Sequence, residues 1–130
     1  MTPDEHRECA AENDVFWQEL DGVKWPGWTI TVIFYTALHE VQAFLMENGD
    51  DPQTHECRGA VLLEKWPDLE VPYSRLKRLS GNARYKNLHS QQRLNEAKLL
   101  LIQVRGLIES GGVNEPEDGG TDEESEPAKR

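Results

Sequence analysis

Apolar positions recur three and four residues apart through most of this chain, the repeat of one helix face, and strict alternation is nowhere sustained. Ile30, Ile33, Phe34, Ala37, Leu38, Val41, Phe44 and Leu45 hold that repeat for about four turns. The β-branched run Thr29-Ile30-Thr31-Val32-Ile33 would suit a strand locally, but the helical period continues to Leu45 and predicts a helix over about 27–48. Leu94, Ala97, Leu101, Val104 and Ile108, widened by Leu100 and Leu107, predict a second strong helix over about 83–109.

Local signals place the other elements. Thr2-Pro3-Asp4-Glu5 supplies a capping hydroxyl, a first-turn proline and two acids, and opens a helix of about 4–20 with a loose stripe of Ala10, Phe16, Trp17 and Leu20. Asp21-Gly22 and Trp25-Pro26-Gly27 end it, and Asn48-Gly49 with Pro52 ends the next. A third helix is expected over about 53–66, stopped by Pro67, and a short fourth over about 72–79, broken by Ser80-Gly81-Asn82. The expected fold is all-α: an antiparallel bundle of four to five helices over 1–110. Residues 111–130, rich in Glu, Asp, Gly and Pro, carry too little apolar surface to offset backbone entropy and are expected to form a disordered acidic tail.

Charge changes the picture only when it is mapped. The net value of −10 argues against nucleic acid, yet residues 1–21 hold seven acids and one base, and 111–130 hold seven acids and two bases. Over 73–105, Arg75, Lys77, Arg78, Arg84, Lys86, Arg93, Lys98 and Arg105 stand against Glu96 alone. A local positive field of this kind attracts phosphates, while acids beyond roughly 10 Å are screened. The apolar run Ile30–Tyr35 is too short to span a bilayer, no signal peptide is readable, and Cys9 and Cys57 cannot build a disulfide framework. A cytoplasmic protein with no membrane association is expected.

The stretch Ile33-Phe34-Tyr35-Thr36-Ala37-Leu38-His39-Glu40-Val41, followed by Asn48-Gly49 and Pro52-Gln53-Thr54-His55, resembles the second-helix signature of HEPN domains. Leu76-Lys77-Arg78-Leu79-Ser80-Gly81-Asn82-Ala83-Arg84-Tyr85 resembles the second block of that family, and together the two cover roughly 25–108. The resemblance implies a helical bundle that usually dimerises. Many members are metal-independent ribonucleases marked by an arginine and a histidine four to six residues apart. Others have lost that motif and bind protein partners, nucleotidyltransferases among them. The matching pair in this chain is Arg84 and His89, and Tyr85 stands where catalytic members often carry a small polar residue.

The chemistry implied is coherent. Histidine is the side chain suited to take a 2′-hydroxyl proton near neutral pH, and arginine can hold the phosphate bidentately. Lys86, Arg93 and Arg78 are candidates for flanking phosphates, and Asn87 for orienting the substrate. On one ideal helix, five positions place Arg84 and His89 about 140° apart, and the resemblance implies that a pair from each subunit meets across a dimer cleft. The expectation is an endoribonuclease of toxin or defence type, a homodimer without cofactor or metal, with an antitoxin or nucleotidyltransferase as possible partner. The alternative is an inactive HEPN interaction module. His39 reads as a core histidine, His55 and Arg58 as a cap or brace for the third helix or as a substrate-binding pair, and Trp25 and Trp28 as packing residues or base-stacking platforms. His39, Glu40, His55, Glu56 and Cys57 lack the spacing of a zinc motif.

Overall fold

The structure, a computed structural model, describes residues 1–114, which form five helices and no strand. The first, α1, spans Pro3–Glu19. Its start is a reciprocal capping box: the Glu5 amide donates to Thr2 Oγ1 at 3.1 Å and the Thr2 amide to Glu5 Oε1 at 2.7 Å. Ala10 alone is buried on α1, so polar contacts do much of the holding. Arg105 donates to Asp14 of α1 and Glu40 of the next helix at 2.9 Å each, and Arg7 pairs with Glu47.

Helix α2, Pro26–Glu47, is the core of the molecule, with thirteen of its 22 residues buried. Its three buried threonines satisfy their hydroxyls on the preceding turn: Thr29 donates to the Trp25 carbonyl, Thr31 to Gly27 and Thr36 to Val32, at 2.7–3.0 Å. That back-bonding is why the β-branched run is tolerated inside a buried helix. α2 is long and apolar enough to cross a bilayer by length and composition, but 72% of its apolar window is buried inside the bundle. It stops in a Schellman turn, with Gly49 at φ +96° and the Asp50 amide returning to the Leu45 carbonyl at 3.0 Å.

Helix α3, His55–Lys65, is capped by Thr54, whose hydroxyl accepts from the Cys57 amide at 3.0 Å. Pro67 does more than stop it. Trp66 closes α3 and caps α4, which runs Pro67–Tyr85 with Pro67 in its first turn. The short helix expected over 72–79 is therefore 19 residues long. Ser80-Gly81-Asn82 does not break it, because Leu76, Leu79 and Ser80 are buried between α2 and α5 and packing overrides weak local propensity. α4 ends at Lys86, where Asn87 turns the chain at φ +54° and the Leu88 amide bonds the Asn82 carbonyl at 3.0 Å.

Helix α5 begins at Gln91, capped by Ser90 Oγ accepting from the Arg93 amide, and ends at Glu109. The helix expected from residue 83 thus starts eight residues later. Residue pairs fix the directions. Phe34 meets Tyr73 and Phe44 meets Trp66, so α4 runs antiparallel to α2. Gly27 lies against His89 and Glu40 against Arg105, so α5 runs parallel to it. α1 is antiparallel to α2, with His6 beside His39 and Phe16 lining a hollow with Trp28 and Val32.

The boundary expected at residue 110 is displaced. Gly111 and Gly112 close α5 at φ +84° and +90°, Gly112 is buried, and the Asn114 amide donates to Asp68 at 3.0 Å. The rest of the expected acidic tail, 115–130, lies outside the described residues.

A methyl group at Gly112 would lie 2.5 Å from the Trp66 ring and 2.8 Å from Phe44, whereas one at Gly81 would meet nothing within 4 Å. Gly112→Ala should therefore destabilise by about 2–4 kcal/mol through overpacking and a left-handed backbone. Gly81→Ala, in a helix interior, should stabilise by roughly 0.5–1 kcal/mol. Urea unfolding of the two variants checks the pair, and equal midpoints would overturn this account of the C-terminal fold-back.

Candidate functional site

Two breaks in the helix pattern build a groove at one end of the bundle. Pro26 and Gly27 start α2 immediately after Trp25, and Asn87 reverses the chain after α4. Lys24, Trp25, Gly27, Trp28 and Thr31 line one side, and Ala83, Arg84, Asn87 and His89 the other, around about 520 Å³. The sequence-based pair is therefore present on one surface, but not on one helix. Arg84 sits in the last turn of α4 and His89 in the loop before α5, so the 140° divergence does not apply.

Each polar group of the groove is held. Arg84 Nη1 donates to the Tyr35 hydroxyl at 2.8 Å. Its guanidinium carbon lies 5.5 Å from the Tyr35 ring and 5.0 Å from the Tyr85 ring, in cation–π range of both. Tyr85 does not pack into the core; it is 80% exposed and flanks Arg84. His89 Nε2 and Asn87 Oδ1 are 3.1 Å apart. An amide oxygen can only accept, so Nε2 carries the proton in this pairing and Nδ1 is left with a free lone pair. The Cδ2 edge of the ring rests on Gly27, where an added methyl would come within 3.0 Å. Trp28 is 64% exposed and Trp25 nearly half exposed, and Lys24 lies 5.3 Å from the Trp25 ring.

The other basic candidates separate. Lys86 and Arg78 are exposed and outside the groove lining. Arg93 is also outside it; its Nη1 is buried without a hydrogen-bond partner. Of the basic segment, Arg75 pairs with Glu96 and Arg105 with Asp14 and Glu40. Lys77, Arg78, Arg84, Lys86, Arg93 and Lys98 have no carboxylate within ion-pair distance among the described residues. Lys24, Gly27 and Tyr35 join the site without having been singled out by sequence as site residues; the Pro-Gly turn and the stacking candidates Trp25 and Trp28 marked that end of α2.

The remaining histidines lie elsewhere. His39 on α2 meets His6 on α1, Nδ1 to Nδ1 at 2.9 Å, so one ring donates and the other accepts. Burial, mutual repulsion and the nearby Arg58 hold His39 below its ordinary pKa, and His6 is lowered mainly by burial. His55 contacts Arg58 at 3.4 Å. Among the described residues no three His, Cys, Asp or Glu side chains converge as metal ligands, and Cys9 and Cys57 are free thiols.

Depressed histidine pKa values fix a pH dependence. The unfolded chain binds the proton more tightly, so stability is full above the ordinary value near 6.5 and falls as pH drops below it. The melting temperature should therefore decline between about pH 7 and 5, and His39→Gln should flatten that decline. A slope unchanged by the substitution would remove the His6–His39 contact as its source. No family model, no curated protein and no solved structure matches the chain.

Proposed function

We propose that this protein is an RNA-binding bundle of HEPN type and that the groove between α2 and α4 cleaves single-stranded RNA without a metal. One observation carries the reading: Arg84, Asn87 and His89, from a helix end and a left-handed turn, border one groove with two exposed tryptophans. A phosphate in the groove would meet Arg84, which has no carboxylate partner among the described residues and keeps part of its donor fork free. His89, with Nε2–H directed at Asn87, offers Nδ1 to a 2′-hydroxyl.

The reaction balances without a further reactant. His89 takes the 2′-hydroxyl proton, the 2′-oxygen bonds to phosphorus, and the 5′-oxygen leaves and is protonated by the imidazolium. The products are a 2′,3′-cyclic phosphate and a 5′-hydroxyl, and DNA, lacking the 2′-hydroxyl, is inert. Trp25 and Trp28 give bases a stacking surface, which favours unpaired strands. Lys86 and Arg78, exposed on α4 and just beyond it, suit the outgoing backbone more than the reacting phosphate. Both members of the pair border one groove of a single chain. A homodimer and a toxin or defence role stay in the proposal on the resemblance, and a cytoplasmic location on the two free cysteines.

A second reading has its own observation. Phe16, Leu20, Trp25, Trp28 and Val32 line an apolar hollow contiguous with the groove, and Arg84 is already engaged by Tyr35. A catalytically silent module would use that surface for a protein such as a nucleotidyltransferase or an antitoxin.

Cleavage of a labelled mixed-sequence RNA in EDTA separates the two. The wild type should cut and leave cyclic phosphate ends, while Arg84→Ala and His89→Ala should each lose at least about 100-fold. Gly27→Val should lower cleavage while leaving the melting temperature nearly unchanged, since it displaces His89 in an exposed loop. A folded wild type that cuts no RNA overturns the ribonuclease reading and leaves the interaction module.

A further inference from the structure

Arg58 is the one charged side chain among the described residues that is more than nine-tenths buried, at 7% exposure, and no carboxylate pairs with it there. Its partners are neutral: Nε donates to Gln42 Oε1 at 2.8 Å, and Nη1 lies 3.4 Å from His55 Nδ1. Gln42 links it to Asp51, whose Oδ1 accepts from the Gln42 amide nitrogen at 3.0 Å. A buried cation in this state needs an anion or pays its full desolvation.

The surroundings supply more positive charge. The Phe34 ring is a hub, with the rings of Tyr35, His55 and Tyr73 centred 5.2, 6.0 and 5.7 Å away. Arg58 joins that hub through His55, and Arg84 joins it through the Tyr35 hydroxyl. On α4, Lys77 lies one turn beyond Tyr73 and two turns before Arg84, so the three share a face. Tyr73 is 2% exposed, and its hydroxyl lies near Arg58 without a hydrogen bond of good geometry. We propose that this junction of α2, α3 and α4 binds a phosphate group between Arg58, Lys77 and Arg84, with His55 and the Tyr35 and Tyr73 hydroxyls beside it.

Titration agrees with the geometry. His55 is held below its ordinary pKa by burial and then by Arg58, Lys77 and Arg84, with no acid acting on it. Burial pushes the Tyr73 hydroxyl up to about 12 against the opposing pull of Arg58, so it stays protonated and able to donate. Arg58 also lines a hollow of about 230 Å³ with His6, Gln42 and Asp51. The phosphate comes either from the backbone of a bound strand or from a small phosphorylated molecule. The proposal meets the cleavage groove only at Arg84, and Arg58 and Lys77 lie outside that groove.

The test follows the His55 ring proton by NMR across pH, in the full chain, with and without inorganic phosphate. A bound dianion opposes the three cations, so millimolar phosphate should raise the His55 pKa. Lys77→Gln and Arg58→Gln should each weaken the response roughly tenfold, the cost of one charge-assisted contact. Lys77 is partly exposed, so its variant reads the site even if Arg58→Gln fails to fold. In a second arm, an RNA oligonucleotide without terminal phosphates replaces inorganic phosphate. A shift from the oligonucleotide assigns the site to a strand, and a shift from phosphate alone assigns it to a small molecule. A His55 pKa that neither probe moves, or that moves equally in the Lys77 variant, overturns the proposal. RNA cutting fails separately, since loss of cleavage with phosphate binding intact sinks only the groove reading.

Discussion

A helix that is apolar on nearly every side has to be covered on nearly every side, and α2 imposes that constraint on the whole chain. Ile30, Ile33, Phe34, Ala37, Val41 and Leu45 share one face and are all inaccessible to solvent, and Thr29, Thr36 and Ala43 on one side of it and Thr31, Leu38 and Gln42 on the other are buried as well. α4 and α5 cover two flanks with Leu69, Tyr73, Leu76, Leu94, Ala97 and Leu101. α1 covers the third with little apolar surface of its own. Its hold comes from the His6–His39 contact and from Arg105 and Arg7, which bind carboxylates on both α1 and α2 or within reach of both. The helix with the fewest buried residues is thus the one whose attachment depends on protonation.

The fold was legible wherever apolar period and capping chemistry agreed. Thr2-Pro3-Asp4-Glu5 and Asn48-Gly49 placed the ends of α1 and α2 to within a residue or two, since their signals are local. The region 67–90 was misread for an equally physical reason. Pro67 serves as both stop and start, and a reading that spends it on the stop loses the first turn of α4. Ser80-Gly81-Asn82 has weak helix propensity, but the burial of Ser80 and its neighbours depends on α2 and α5, which no local window sees. Asn87 and Ser90 then place the true break inside what periodicity had assigned to one long helix.

The same break decides how the candidate chemistry is arranged. Arg84 and His89 were found by spacing and by resemblance, and a continuous helix would have set them on different faces. The left-handed turn at Asn87 instead folds the loop back over Gly27 and brings Asn87 itself against the imidazole. Tyr35 was quoted only within the stretch from Ile33 to Val41. Its hydroxyl fixes the Arg84 guanidinium, and its ring packs on Phe34 beside the buried Arg58 region. Arg84 therefore stands at the joint between two polar clusters, a position that no sequence distance records.

The fold-back at Gly112 sets a direction as well as a stability. That glycine packs on Phe44 and Trp66, at the opposite end of α2 from Gly27 and the groove. The 17 residues separating Gly27 from Phe44 span roughly 25 Å of helix. The described chain therefore leaves the bundle at the pole farthest from the groove, beside Asp68. For anyone tethering this protein to a surface, a bead or a fluorophore, an attachment just after Asn114 puts the anchor behind the molecule. The tryptophan-lined mouth then faces outward, open to a ligand much larger than itself.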